Sequence, residues 1–248
     1  MIESIILGIL QGIFEWLPIS SEGILAITSY LLKEPHPIDI SLFLHFGTLL
    51  AVLIYFKKEW KEILTFKDKK LLSFLTISTF FSLIFGFLIY QWLKTISLFG
   101  SYLLLIVGIG LLLSGFFSEK REKFNFNLNF FHSAVICGIL QGFSVIPGFS
   151  RSGSTIFGLS LGIKNPTEIL KISYMMSVPV VILANLYLVF KNPILISPKS
   201  VISLVFSFLV GILVLDYLMK ISQRINFSKF CFLFGSLCIL GSILLKFL

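Results

Sequence analysis

Gly8-Ile9-Leu10-Gln11-Gly12-Ile13-Phe14-Glu15-Trp16-Leu17-Pro18-Ile19-Ser20-Ser21 starts as an apolar helix and is interrupted partway along. Proline removes a backbone donor and clashes with the preceding turn, and the serines behind it permit a non-helical connection. The opening recurs as Gly138-Ile139-Leu140-Gln141-Gly142, again ahead of a break, here Pro147-Gly148-Phe149-Ser150-Arg151-Ser152-Gly153. Two apolar stretches, about 1–32 and 130–163, are thus broken in the middle, which predicts two re-entrant helix hairpins. Non-helical backbone at membrane depth persists only where protein or a wet cavity satisfies its N–H and C=O groups, so each break points at a cavity.

The composition outside these stretches points to lipid. Of 248 residues, 56% are hydrophobic, 15% aromatic and only 13% charged, against about 25% charged in a soluble domain. Continuous apolar runs at about 38–56, 71–92, 101–117, 172–190, 201–219 and 230–247 are long enough to cross a hydrocarbon core of about 30 Å. The N-terminus lacks a basic n-region and a small-residue cleavage site, so no cleaved signal peptide is expected. Cys137, Cys231 and Cys238 lie in apolar runs without metal-site or disulfide spacing and are expected to be structural. The net charge of +8 falls in short loops, which fits membrane topology rather than nucleic acid.

Those loops set the orientation. Lys57, Lys58, Lys61, Lys67, Lys69, Lys70, Lys120, Arg121, Lys123, Lys164, Lys171, Lys220, Arg224 and Lys229 make 14 of the 20 basic residues and fall in alternate loops. The positive-inside rule puts them in the cytoplasm. The first hairpin then enters and leaves from outside and the second from inside, each followed by three spans. The expected fold is an all-α polytopic membrane protein, an inverted-topology repeat of six transmembrane helices plus two re-entrant helix hairpins. Repeat 1 covers 1–117, a cytoplasmic linker 118–129 and repeat 2 130–248, all in one membrane domain. Such repeats place a binding site near the midplane, where helix N-termini offer N–H groups to anions.

Few side chains there carry chemistry. Gln11 and Glu15, four apart, share a helix face just before the first break, and the second copy has Gln141 and Val145. The carboxylate therefore belongs to one half and the cation, Arg151, to the other. An ionisable group in a span costs about 2.5–3.5 kcal/mol at the helix centre, so Glu15 and Arg151 need a partner or a task. A bare ion pair locking the hairpins would not need the surrounding serines. Ser150-Arg151-Ser152-Gly153-Ser154-Thr155 combines a guanidinium fork, hydroxyls and a glycine-enabled turn, the parts of a phosphate site. Ser20-Ser21-Glu22-Gly23 is a similar, less basic turn. Small residues also serve helix packing, which is the competing reading of each serine. His45 is expected to be a satisfied core or cavity histidine, His36 and His132 carry no role, and Glu168 and Asp216 are expected at the cytoplasmic interface. No P-loop, dinucleotide fingerprint, zinc helix or zinc cluster is present.

The two signatures, Gln11-Gly12-Ile13-Phe14-Glu15-Trp16-Leu17-Pro18-Ile19-Ser20-Ser21 and Pro147-Gly148-Phe149-Ser150-Arg151-Ser152-Gly153, resemble those of the undecaprenyl-diphosphate phosphatase family of the bacitracin-resistance type, and the likeness covers essentially the whole chain. The resemblance implies a hydrolase that converts a polyprenyl diphosphate to the monophosphate plus inorganic phosphate, recycling a lipid carrier for cell-envelope glycan synthesis. It implies a divalent cation, Mg²⁺ or Ca²⁺, and a site open to the outer face of the plasma membrane. Carried over by position, Glu15, Ser21 and Arg151 become catalytic; Gln11 and Glu15 metal-binding; and Gln11, Ser20, Ser150, Ser152, Gly153 and Thr155 substrate-binding. The expected partners are the lipid substrate and membrane lipids, with a homodimer allowed and no nucleic acid. Many members carry a histidine where this chain has Ile24, so the attacking group is water or Ser21, or another base such as Glu22 or His45 has taken that place. The rival reading is a lipid-phosphate flippase or anion transporter built on the same inverted repeat.

Overall fold

The computed structural model describes residues 1–32, 37–92, 99–118, 129–146, 149–191 and 197–247. His36, Pro147, Gly148 and all but the ends of the linker at 118–129 lie outside these residues. Among the described residues the chain is entirely helical: α1 (Ile2–Phe14), α2 (Ser21–Leu31), α3 (Pro37–Tyr55), α4 (Lys57–Leu64), α5 (Lys69–Trp92), α6 (Phe99–Ser118), α7 (Phe130–Gly142), α8 (Arg151–Ser160), α9 (Pro166–Lys191), α10 (Pro198–Ser222) and α11 (Phe227–Phe247). A 3₁₀ turn, Phe143–Val145, extends α7.

The six long helices α3, α5, α6, α9, α10 and α11 fall on the six expected apolar runs. Within the described residues three stretches are long and apolar enough to cross a membrane: Lys69–Ile89, Pro166–Leu183 and Pro198–Ser222. Large apolar side chains such as Phe80, Phe87, Ile106, Leu113, Leu213 and Ile243 stand exposed on the long helices. A water-soluble protein rarely shows so much contiguous apolar surface, and lipid accounts for it. This is a helical membrane protein. By contrast α1, with 13 residues, and α2, with 11, span only about 20 Å and 17 Å and cannot cross alone.

Two boundaries differ from expectation. Helix α9 begins at Pro166, ahead of the apolar run, because Asn165 Oδ1 accepts from the Thr167 and Glu168 amides and proline suits a first turn. Helix α4 was not anticipated within the basic loop; it turns Ile63 inward and leaves its lysines exposed.

The halves pack across each other. Helix α1 lies along α10 and α7 along α5, while α6 pairs with α11. The recurring glycines meet equivalent neighbours: a Cβ on Gly8 would collide with the Ser203 carbonyl and Phe206, one on Gly138 with the Ser78 carbonyl and Phe81. At Gly12 it would meet the Gly211 nitrogen at 2.7 Å, and at Gly142 the Gly86 nitrogen at 3.0 Å. Glycine is required there because the backbones touch. The basic ends gather through Tyr55 to Asp216, Ser222 to Thr167, and Lys70 over the Phe130 ring. The three cysteines are buried and free, as expected.

Candidate functional site

The first break is built from residues 15–20, between α1 and α2, and its carbonyls are satisfied from the other half of the chain. Tyr174 on α9 donates to the Trp16 carbonyl at 3.2 Å, and Ser152 on α8 donates to the Leu17 carbonyl at 2.7 Å. The Trp16 indole donates to the Gly211 carbonyl on α10 at 2.8 Å and meets the Tyr174 ring edge-on. Irregular backbone is thereby kept satisfied within the protein, the condition for its survival away from water. The second break ends in an N-cap: Ser150, extended, accepts from the Gly153 amide, which opens α8 at Arg151.

Between the breaks lies a small pocket lined by Glu15, Ile19, Ser20, Ser21, His45, Ser144, Phe149, Ser150, Arg151 and Ser152. Helices α2 and α8 both start at this pocket, and the first turn of a helix is where backbone N–H groups lack intrahelical partners and favour anions. Glu15 Oε1 is paired with Arg151 Nη2, joining the halves directly. Its other oxygen, Oε2, accepts from Gln11 Nε2 at 3.0 Å and Ser21 Oγ at 3.1 Å and lies 3.1 Å from His45 Nε2. Arg151 also donates to the Ser173 carbonyl on α9, and Ser173 shares a 2.6 Å hydrogen bond with Thr155, which donates to the Arg151 carbonyl.

Glu15, Ser20, Ser21, Ser150, Arg151 and Ser152 thus line one pocket. Gln11, Gly153 and Thr155 stand behind its wall: Gln11 braces Glu15, the Gly153 amide is taken by Ser150, and Thr155 braces the start of α8. His45 was read as a core or cavity histidine; it lines the pocket and touches the carboxylate. The signal that could have singled it out is its ionisable ring inside an apolar span. Ser144, Ser173 and Tyr174 were not singled out, because hydroxyls in apolar helices usually bond their own backbone. Ile24 is half-buried and does not line the pocket, and the Glu22 side chain lies outside what is described.

The oxygens here that could hold a hard cation are those of Glu15 and Gln11. Among the described residues the buried Gln11 Oε1 has no hydrogen-bond partner, and it sits on the residue that braces the Glu15 carboxylate. Among the described residues no three His, Cys, Asp or Glu cluster as a metal cage. Mg²⁺ commonly binds through one or two carboxylates completed by substrate phosphates and water rather than by such a cage.

The model of the bacitracin resistance protein BacA family matches residues 4–240. Relatives named undecaprenyl-diphosphatase include one from Methanococcoides burtonii, 32% identical over 96% of this chain and 97% of that protein. One from Methanococcus maripaludis strain C7 is 38% identical over 93% and 96%. A third, from Sulfurisphaera tokodaii, is 34% identical over 98% of both.

Proposed function

The chain belongs to the bacitracin resistance protein BacA family, and from that membership we infer that it is an undecaprenyl-diphosphatase, a membrane hydrolase that cleaves a polyprenyl diphosphate to the monophosphate and inorganic phosphate. The relatives bear an enzyme's name, which favours hydrolysis over lipid or anion transport. The observation that carries the reading is the meeting of Glu15 and Arg151, from opposite halves, in one hydroxyl-rich pocket at two helix N-termini.

The proposed chemistry follows the contacts. Arg151, with Ser150, Ser152 and the N–H groups opening α8, holds the terminal phosphate and neutralises charge as the bridging P–O bond breaks. Ser21 Oγ donates to Glu15 Oε2, the arrangement of an oxygen nucleophile with its base. Glu15 takes the proton as Ser21 Oγ bonds to phosphorus and the lipid monophosphate leaves; water then releases inorganic phosphate from Ser21. Glu15 and Gln11 are the residues that would hold a divalent cation, Mg²⁺ or Ca²⁺, which when bound supplies positive charge against the diphosphate. The serines and Arg151 that line the small pocket suit the charged headgroup rather than the apolar chain. The prenyl chain extends past Ile19 and Phe149 into lipid.

The equivalent surroundings of the two glycine motifs, the short hairpin helices and the shared basic end support an inverted repeat with re-entrant hairpins in the plasma membrane, the pocket opening to the outer face. Family membership ties the product to lipid-carrier recycling for envelope glycans and to bacitracin resistance. The test is phosphate release from a polyprenyl diphosphate by purified protein in detergent, with and without chelator. Detergent offers no compartments, so a transporter releases nothing there. Absence of released phosphate overturns the hydrolase reading, and full activity in chelator overturns the cation's part.

A further inference from the structure

We propose that His45 is the positioning residue for Glu15, holding its carboxylate in register while the other contacts are exchanged for substrate; this rests on the hydrolase reading of the pocket. Glu15 Oε2 has three polar neighbours, Gln11 Nε2, Ser21 Oγ and His45 Nε2, while Oε1 is paired with Arg151. A carboxylate oxygen offers about two lone-pair sites, so this set is crowded for Oε2 before substrate arrives. A bound phosphate shares the guanidinium of Arg151 with Glu15, which weakens the hold of Arg151 on the carboxylate. Attack by Ser21 then removes the hydroxyl contact. The contacts to Glu15 that neither the substrate nor the attacking group replaces are those of Gln11 and His45.

These two are not equivalent. Gln11 lies one turn before Glu15 on α1 and moves with it, so it restrains the side chain only against its own helix. His45 comes from α3, which packs against both α10 and α9. A donor on a separate, braced helix fixes the carboxylate in the frame of the molecule, which is what a base facing a bound phosphate requires. The imidazole is buried, with Nε2 toward Glu15, and the backbone beside it is held by Thr48 donating to the His45 carbonyl at 3.1 Å and Ser207 donating to the Leu44 carbonyl at 3.0 Å.

The experiment compares wild type, His45→Gln and His45→Leu in detergent, measuring phosphate release from a short-chain prenyl diphosphate together with the thermal midpoint of each protein. Glutamine can place an N–H near the imidazole Nε2; leucine fills similar space without a donor. The expected result is a fall in kcat of about tenfold to a hundredfold for His45→Leu, the scale of losing an outer-shell orienting partner. KM should change far less, the midpoint should be kept, and His45→Gln should recover most of the loss. A His45→Leu protein with near-normal kcat overturns the proposal, as does a folded His45→Gln no better than the leucine variant. If His45→Leu does not fold, His45→Gln alone decides, since low kcat in a folded glutamine variant contradicts a pure hydrogen-bonding role. Wild type that releases no phosphate sinks the hydrolase reading and this assignment together, whereas active wild type beside an unaffected His45→Leu sinks this assignment alone.

Discussion

Arg151 sits with one nitrogen on Glu15 and another on the Ser173 carbonyl, so its guanidinium plane is set from two sides before any phosphate arrives. Arg151→Lys keeps the charge but loses the fork. Phosphate release should fall by roughly a hundredfold, the scale of removing a donor aimed at developing charge; near-normal turnover would contradict the role given to Arg151. Ser152→Ala leaves the Leu17 carbonyl without its donor inside the protein and should cost about 1–3 kcal/mol. In a chain of this size that lowers the thermal midpoint by several degrees, about 2–4 °C per kcal/mol, readable by calorimetry in detergent. At this scale the meeting of Glu15 and Arg151 was legible before folding, because an isolated Glu and Arg in apolar stretches are costly enough to demand a partner or a task. His45 was legible as a cavity histidine or a candidate base, but its contact with Glu15 exists only once α3 has been brought beside the first break. Ser173 and Tyr174 were hidden for the same reason, since their partners lie in other segments of the chain.

Among the elements, the long helices were readable because lipid imposes length and apolarity on each separately. Helix α4 was masked by its lysines, and the start of α9 by the polar Pro166-Thr167-Glu168 turn, since hydropathy reports where lipid begins rather than where a helix does. After α4 the chain reverses at Phe66, which adopts φ 56° and is 66% exposed. A left-handed backbone costs a non-glycine residue about 1–2 kcal/mol. With no buried contact to lose, Phe66→Gly should raise the thermal midpoint by a few degrees; an unchanged or lower value would show that the ring contributes more than its exposure implies. The opposite outcome is expected at the helix crossings. Gly8→Val or Gly138→Val inserts a branched side chain where a Cβ already collides with carbonyl and ring. Overpacking of at least about 1–3 kcal/mol should leave little monodisperse protein on size exclusion.

The molecule as a whole is held together across its halves, α1 by α10, α7 by α5 and α6 by α11. Fragments covering 1–117 and 130–248, each expressed alone, should yield no folded or active protein, whereas co-expression should restore measurable phosphate release. Independent folding of either fragment would show that the crossed contacts are dispensable. The pairing of Glu15 with Arg151 could be anticipated from the repeat, but the exchange of helices could not, because apolar faces in sequence do not state their partners. The bond from the Trp16 indole to the Gly211 carbonyl ties the opening of the chain to a point near its close. During synthesis the first break therefore waits for its anchor until most of the polypeptide has been threaded into the bilayer. A chain stalled or truncated before α10 should therefore release no phosphate, its unanchored first break leaving the membrane's phosphorylated lipids intact.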